Sequence, residues 1–118
     1  MDLKILRDKN TLIVGLKGEI DHHNSEIIKD KMDEGIIKYH CKNIILDIST
    51  VEFMDSSGIG LILGRYKKIN ALDGNMYIVG NAKLTKILEM SGIDKIIKIF
   101  DSMEAAKKNI PGGVFNEE

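Results

Sequence analysis

Tryptophan is absent from this chain, and aromatic residues make up only 5% of it. Few rings are therefore on hand to stack on unpaired bases. Positive charge is not in excess either. Seventeen Lys and Arg stand against 18 Asp and Glu, a formal net charge of -1. Neutralising a phosphate backbone needs a basic surplus, so direct nucleic-acid binding is not expected. The single cysteine, Cys41, excludes an internal disulfide and gives no sign of an oxidising compartment. A catalytic cysteine needs a base beside it, and His40 is its sequence neighbour, but Cys41 reads as a semi-exposed structural residue near a helix end. No apolar run approaches the ~20 residues that a membrane span requires. Met1-Asp2-Leu3-Lys4 opens no signal-type apolar segment. A cytoplasmic location without membrane contact is the expectation.

Several catalytic signatures are also lacking. No G-x-x-x-x-G-K-[ST] phosphate loop occurs. Gly58-Ile59-Gly60-Leu61-Ile62-Leu63-Gly64 has one residue too many for the dinucleotide fingerprint G-x-G-x-x-G. A hydrolase elbow requires G-x-S-x-G, but Met54 stands two before Ser56 and Asp55 two before Ser57. His22, His23 and His40 all precede Ser56, which removes the usual hydrolase order of nucleophile and base. Asp21-His22-His23 is a poor start for a metal centre, because adjacent histidines in one loop are expected to point different ways and no further ligand set is evident. Neither an enzyme nor a resident metal or cofactor is expected.

What remains is an ordinary globular mixture, 43% hydrophobic and 30% charged over 118 residues, enough for one core. One domain is expected over residues 1–110. The tail from Pro111 to Glu118 has little to bury and reads as flexible.

Leu3–Leu6 and Thr11–Leu16 are β-type runs joined by a turn at Asp8-Lys9-Asn10. Gly18 to Asn24 is polar and loop-like. Ile28, Met32, Ile36 and Tyr39 recur at helical spacing, with Asn24 as candidate N-cap. Ile44-Ile45-Leu46-Asp47-Ile48 is a nearly continuous apolar strand, as expected where both sheet faces are covered. Ile59, Ile62, Leu63, Tyr66 and Ile69 form a second helical stripe, which puts Arg65, Lys67 and Lys68 on the other side. Met76–Val79 is a strand, and Asn81 can cap a short helix carrying Leu84, Ile87 and Leu88. Gly92 suits the end of that helix. Ile96–Phe100 is the last strand, and Asp101 with Glu104 resembles a capping box for a final helix. The order β-β-α-β-α-β-α-β-α predicts an α/β fold, a mostly parallel sheet with helices packed on it.

In open α/β sheets, sites gather beyond the carboxyl ends of the strands. Two polar loops leave strands in that sense, Gly18–Asn24 and Phe53–Gly60. If their strands are neighbours, Asp21 comes near Ser56. Asp55-Ser56-Ser57 stands directly before a helix, whose first-turn N–H groups and macrodipole favour an anion. A phosphate on Ser56 would meet those donors, and would add about -1.5 to -2 of charge beside Asp21 and Asp55. A partner fitted to the bare hydroxyl would then be repelled. The blander use of Ser56 or Ser57 is as an N-cap. Gly58, Gly60 and Gly64 suggest a close approach, either to the sheet or to a partner.

Together, Gly18-Glu19-Ile20-Asp21-His22-His23, Phe53-Met54-Asp55-Ser56-Ser57-Gly58-Ile59-Gly60, Ile62-Leu63-Gly64-Arg65-Tyr66-Lys67 and Met90-Ser91-Gly92-Ile93 carry a resemblance. It extends from about Leu3 to about Asn109. The chain resembles the anti-sigma-factor antagonists, the single-domain bacterial branch of the STAS family, and among them the sporulation type. The resemblance implies a mixed, mostly parallel sheet of four or five strands with about four helices largely on one face. It implies a protein that is monomeric when free. Unphosphorylated, it would bind an anti-sigma factor that is also a serine kinase, and so release the sigma factor. That kinase would phosphorylate Ser56 and switch binding off; a serine phosphatase would reset it. Ser57 is the neighbouring hydroxyl and not the implied acceptor. Glu19, Asp21, Asp55, Ser57 and Gly58 are the implied partner contacts. A stress-response antagonist would use the same chemistry, and a nucleotide-binding STAS module is the alternative of another class.

Overall fold

The computed structural model describes residues 1–111, so all of the expected tail except Pro111 lies outside the described residues. Five strands form one sheet in chain order. β1 (Asp2–Asp8) and β2 (Thr11–Ile20) make the opening antiparallel hairpin, with Asp8 opposite Thr11 across the predicted turn. β3 (Asn43–Met54), β4 (Asn75–Val79) and β5 (Lys98–Phe100) follow in parallel. The helices are α1 (Ser25–Tyr39), α2 (Ser56–Ala71), α3 (Ala82–Met90) and α4 (Met103–Lys108).

Three successive crossovers step the same way across the sheet. A single handedness of crossover then puts α1, α2 and α3 on one face. Their Ile28, Met32, Leu61, Ile62, Leu84 and Leu88 pack on Leu12, Val14, Leu46, Ile48 and Ile78 in the main core. Ile45 and Val79 point the other way and meet Ala106 of α4 and Ile110 just beyond it. The apolar run in β3 is thus covered on both sides, as its composition predicts.

Both strands that lead to the polar loops are longer than their apolar runs. β2 continues to Ile20 and β3 to Met54, paired at Gly18–Val51, Glu19–Phe53 and Ile20–Met54. The reason is that polar residues on a strand's solvent face do not interrupt the backbone ladder: Lys17 and Glu19 are exposed while Leu16 and Ile20 are buried. β3 parts from β4 after Asp47. Asn81 holds the departing stretch, its Nδ2 donating to the Ser49 and Val51 carbonyls at 3.0 and 3.1 Å, while its Oδ1 caps α3 at Leu84 N, 2.8 Å away.

Other expectations shift. β5 begins only at Lys98, because the Ile97 N–H is spent on Ile93 O (2.8 Å) at the end of a 3₁₀ turn, Ile93–Lys95. Ser102, not Asp101, caps α4, accepting from Ala105 N at 3.1 Å. Asn24 occupies the N-cap position of α1 without capping it; its Nδ2 turns back to the Glu19 carbonyl at 2.8 Å. Tyr39 lies off the inner stripe and is exposed, with Arg7 over its ring. Cys41 is not semi-exposed but buried, at 1%. Burial pushes its thiol upward, only partly countered by Arg7, which keeps it in the unreactive protonated form at neutral pH.

Candidate functional site at the carboxyl ends of β2 and β3

Because β2 and β3 are parallel neighbours that end level with each other, the segments leaving them emerge side by side. The Asp55 N–H donates to the Ile20 carbonyl (3.1 Å), tying one exit to the other. Asp55 then adopts extended backbone (φ -99°, ψ -170°) and caps α2, its Oδ1 accepting from Ser57 N at 2.8 Å. Its carbonyl accepts from Gly58 N (3.0 Å) and Ile59 N (3.4 Å). The N-cap is therefore the aspartate, and neither serine serves as one. A further consequence narrows the anion-site expectation: the Ser57, Gly58 and Ile59 N–H groups are already engaged by Asp55.

Asp55 is also where the two loops meet. His22 Nδ1 lies 3.9 Å from Asp55 Oδ2. Burial pushes the Asp55 carboxyl upward. The backbone N–H groups of Ser57, His22 and Gly58, with the Ser57 hydroxyl, outweigh that and hold it below the usual carboxylate range. A carboxyl lowered on folding contributes stability above its unfolded pKa, near 3.8, and that stability fades as pH falls through the lower folded value. Asp55→Ala is accordingly expected to lower the melting temperature by about 4 °C at neutral pH, the loss of one N-cap. Thermal melts taken from pH 7 downward should find the gap from wild type closing below pH ~4.

The two serines differ. Ser56 is exposed at the first position of α2. Ser57 is half-buried, its N–H and hydroxyl both turned to Asp55.

Asp21 is half-buried. Its Oδ1 accepts from His23 N (2.9 Å) and Asn24 N (3.3 Å), and its carbonyl accepts from Ser25 N (2.9 Å). The side chain closes its own loop. Asp21→Ala removes a loop acceptor and a charge together. Asp21→Asn keeps the acceptor. We expect the Ala variant to melt about 4 °C below wild type and the Asn variant within about 1 °C of it, measured by thermal denaturation. The His22 and His23 rings lie 4.0 Å apart, centroid to centroid, and so do not diverge as expected.

Glu19 is exposed at the end of β2, opposite the exposed Phe53. Gly58, expected as a partner contact, is buried instead. A Cβ there would overlap Met54 Cγ and come within 2.9 Å of its Sδ and 3.2 Å of Ile20 Cγ2. Gly58 lets α2 lie directly on the ends of both strands. Gly60 and Gly64 do not share that role, since a Cβ at either meets nothing within 4 Å.

Arg65 does not lie on the outer side of α2 as expected. Arg65 is 5% exposed, inside the fold, with Nε 2.8 Å from Asp33 Oδ1 of α1. It stands four residues after Leu61 and four before Ile69, both buried, and that spacing was its signal. Among the described residues, no group of three or more His, Cys, Asp or Glu could hold a metal, and no helix is long and apolar enough to cross a membrane.

The STAS domain profile matches residues 2–106. The chain belongs to the STAS family. Within that family it is of the anti-sigma-factor antagonist type. An anti-sigma F factor antagonist from Paenibacillus polymyxa is 42% identical over 103 residues, covering 86% of this chain and 88% of that protein. The STAS fold also matches SpoIIAA, an anti-sigma factor antagonist, in its unphosphorylated form, with TM-score 0.75 and 26% identity over 96% of this chain and all of that one. A phosphorylated form of the Bacillus cell fate determinant SpoIIAA matches with TM-score 0.73 and 28% identity, over 91% of this chain and 98% of that one. The expected STAS fold, a mixed sheet of four or five strands with about four helices, is found, with five strands and four helices among the described residues.

Proposed function

We propose that this STAS protein binds an anti-sigma factor with serine kinase activity, frees the sigma factor, and is released when that kinase phosphorylates Ser56. The observation that carries the reading is the asymmetry of the two serines. Ser56 offers an exposed hydroxyl, and Ser57 is held against the capping carboxylate. The similar SpoIIAA is known in an unphosphorylated and a phosphorylated form, which supports a phosphorylation switch.

The electrostatics agree. A phosphoryl group transferred from ATP to Ser56 Oγ would stand beside Asp55, whose carboxylate is held ionised, at the exit where the Asp21 loop is tied down. It would add about -1.5 to -2 of charge to an acidic surface, which repels a partner fitted to the neutral hydroxyl. Glu19, Asp21 and Asp55 supply the surface that the partner reads, with Ser57 on its rim. No catalytic group is needed in this chain, since the kinase provides the chemistry. A serine phosphatase restores the hydroxyl, and sporulation-type transcription in the cytoplasm is the setting that fits the similar anti-sigma F antagonists. The nucleotide-binding alternative loses support, because the Ser57, Gly58 and Ile59 N–H groups already donate to Asp55.

Intact-mass spectrometry after incubation with the anti-sigma kinase and ATP tests the proposal. One added phosphate mapping to Ser56 is expected. Phosphate that persists in Ser56→Ala, or none from a kinase active on another substrate, would sink it.

A further inference from the structure

β2 and β3 run side by side but do not keep the same period. On β2 the inward residues Leu12, Val14, Leu16 and Ile20 all fall at even positions, as regular alternation requires. On β3 the inward residues are Ile44, Leu46 and Ile48, and then Val51 and Met54. The pairing shows the cause. Gly18 lies opposite Val51 but Glu19 lies opposite Phe53, so Glu52 is an extra residue and the register shifts there. Such a bulge is uncommon between parallel strands, and bulges re-aim the side chains beside functional sites. Without it, alternation from the buried Val51 would turn Phe53 inward and Met54 outward. With it, Met54 is 3% exposed and Phe53 is 48% exposed. Among the described residues Phe53 is the most exposed aromatic side chain, and it joins neither apolar core. The ring stands on the strand exit that leads to Ser56, three residues further on.

We infer that Phe53 is the apolar anchor of the docking surface, received by a pocket of the anti-sigma factor that is apolar inside and bordered by basic side chains. The inference rests on the proposed antagonist role and deepens it. Partly exposed aromatic residues make strong anchors, because one ring removes a large apolar area from water at small entropic cost. Charge chooses the occupant. Exposed Glu52 precedes the ring and exposed Glu19 lies opposite it, with Asp21 and Asp55 at the same exit. A second copy would set these carboxylates against their like, and an anionic lipid surface would be repelled by them. A partner with a basic rim complements them.

The test measures binding of the purified anti-sigma factor to wild type, Phe53→Thr, Phe53→Leu and Met90→Gln, with thermal melts alongside. Phe53→Thr keeps strand propensity and should melt within about 3 °C of wild type. Its affinity should fall about 30-fold, the loss of a central aromatic anchor. Phe53→Leu keeps apolar bulk without the ring and should lose about 5-fold. Met90, 83% exposed at the far end of α3, is the control for exposed apolar groups in general, and its variant should bind within twofold of wild type. Affinity of Phe53→Thr within twofold of wild type overturns the inference while leaving the antagonist role intact. If Phe53→Thr does not fold, the same result for Phe53→Leu overturns it. A loss in Met90→Gln as large as that in Phe53→Thr would do so too, since the ring would then be no special anchor. Self-association that Phe53→Thr abolishes, with partner binding unchanged, would hand the ring to a second copy and also overturn it. Wild type that does not bind the anti-sigma factor at all would defeat the antagonist role itself.

Discussion

Phosphorylating Ser56 should weaken the complex with the anti-sigma factor about 100-fold, a change of about 3 kcal/mol. The argument is electrostatic. Like charges brought together across an interface cost several kcal/mol. The phosphate arrives next to Asp55, whose carboxylate is kept ionised by three backbone N–H groups and the Ser57 hydroxyl. Calorimetry with the separated phosphorylated and unphosphorylated forms would measure the ratio. Ser56→Ala should bind as tightly as unmodified wild type and become insensitive to ATP. Ser56→Glu brings only one charge and should fall between the two forms. Equal affinity of the two forms would mean that Ser56 lies outside the docking surface, whatever its phosphorylation state.

The second large effect lies under the surface. Asp33→Ala should destabilise the fold by about 3 kcal/mol, or about 10 °C in melting temperature. It would leave the Arg65 guanidinium charged, almost fully buried and without a counter-ion. The figure is the low end for a broken buried pair, because the Asp33 side chain is 19% exposed. Replacing both partners with apolar residues, Asp33→Leu with Arg65→Met, should recover most of the loss, since neither charge then has to be desolvated. Denaturant melts of the two singles and the double would measure the coupling. A double variant as unstable as the sum of its singles would show that the pair contributes by packing alone.

The strand order and the crossovers were legible from alternating apolar runs, and so were the two loops and their meeting. What periodicity could not give was the way polar side chains are spent. Asn24 and Asp101 look like N-caps in sequence, but Asn24 is drawn back to the Glu19 carbonyl and the cap of α4 falls to Ser102, one residue later. Asp55, Ser56 and Ser57 are all competent caps, and only backbone geometry selects the aspartate. Arg65 was assigned to solvent by its charge, although its spacing from Leu61 and Ile69 puts it inside. Of the three glycines in α2, Gly58 serves packing and the other two do not, a difference that depends on which side of the helix meets Met54 and Ile20.

The capping of α2 by Asp55 also determines how fast the protein can respond. The Ser57, Gly58 and Ile59 N–H groups are directed to Asp55 before any phosphate arrives, so modification has no loop to order and no helix turn to build. A surface that gains negative charge on a fixed frame would have no conformational lag. Under the proposed switch, the delay between phosphorylation and recapture of the sigma factor would be the lifetime of the complex alone, and ionic strength, by screening the added charge, would set how sharply the two states are told apart.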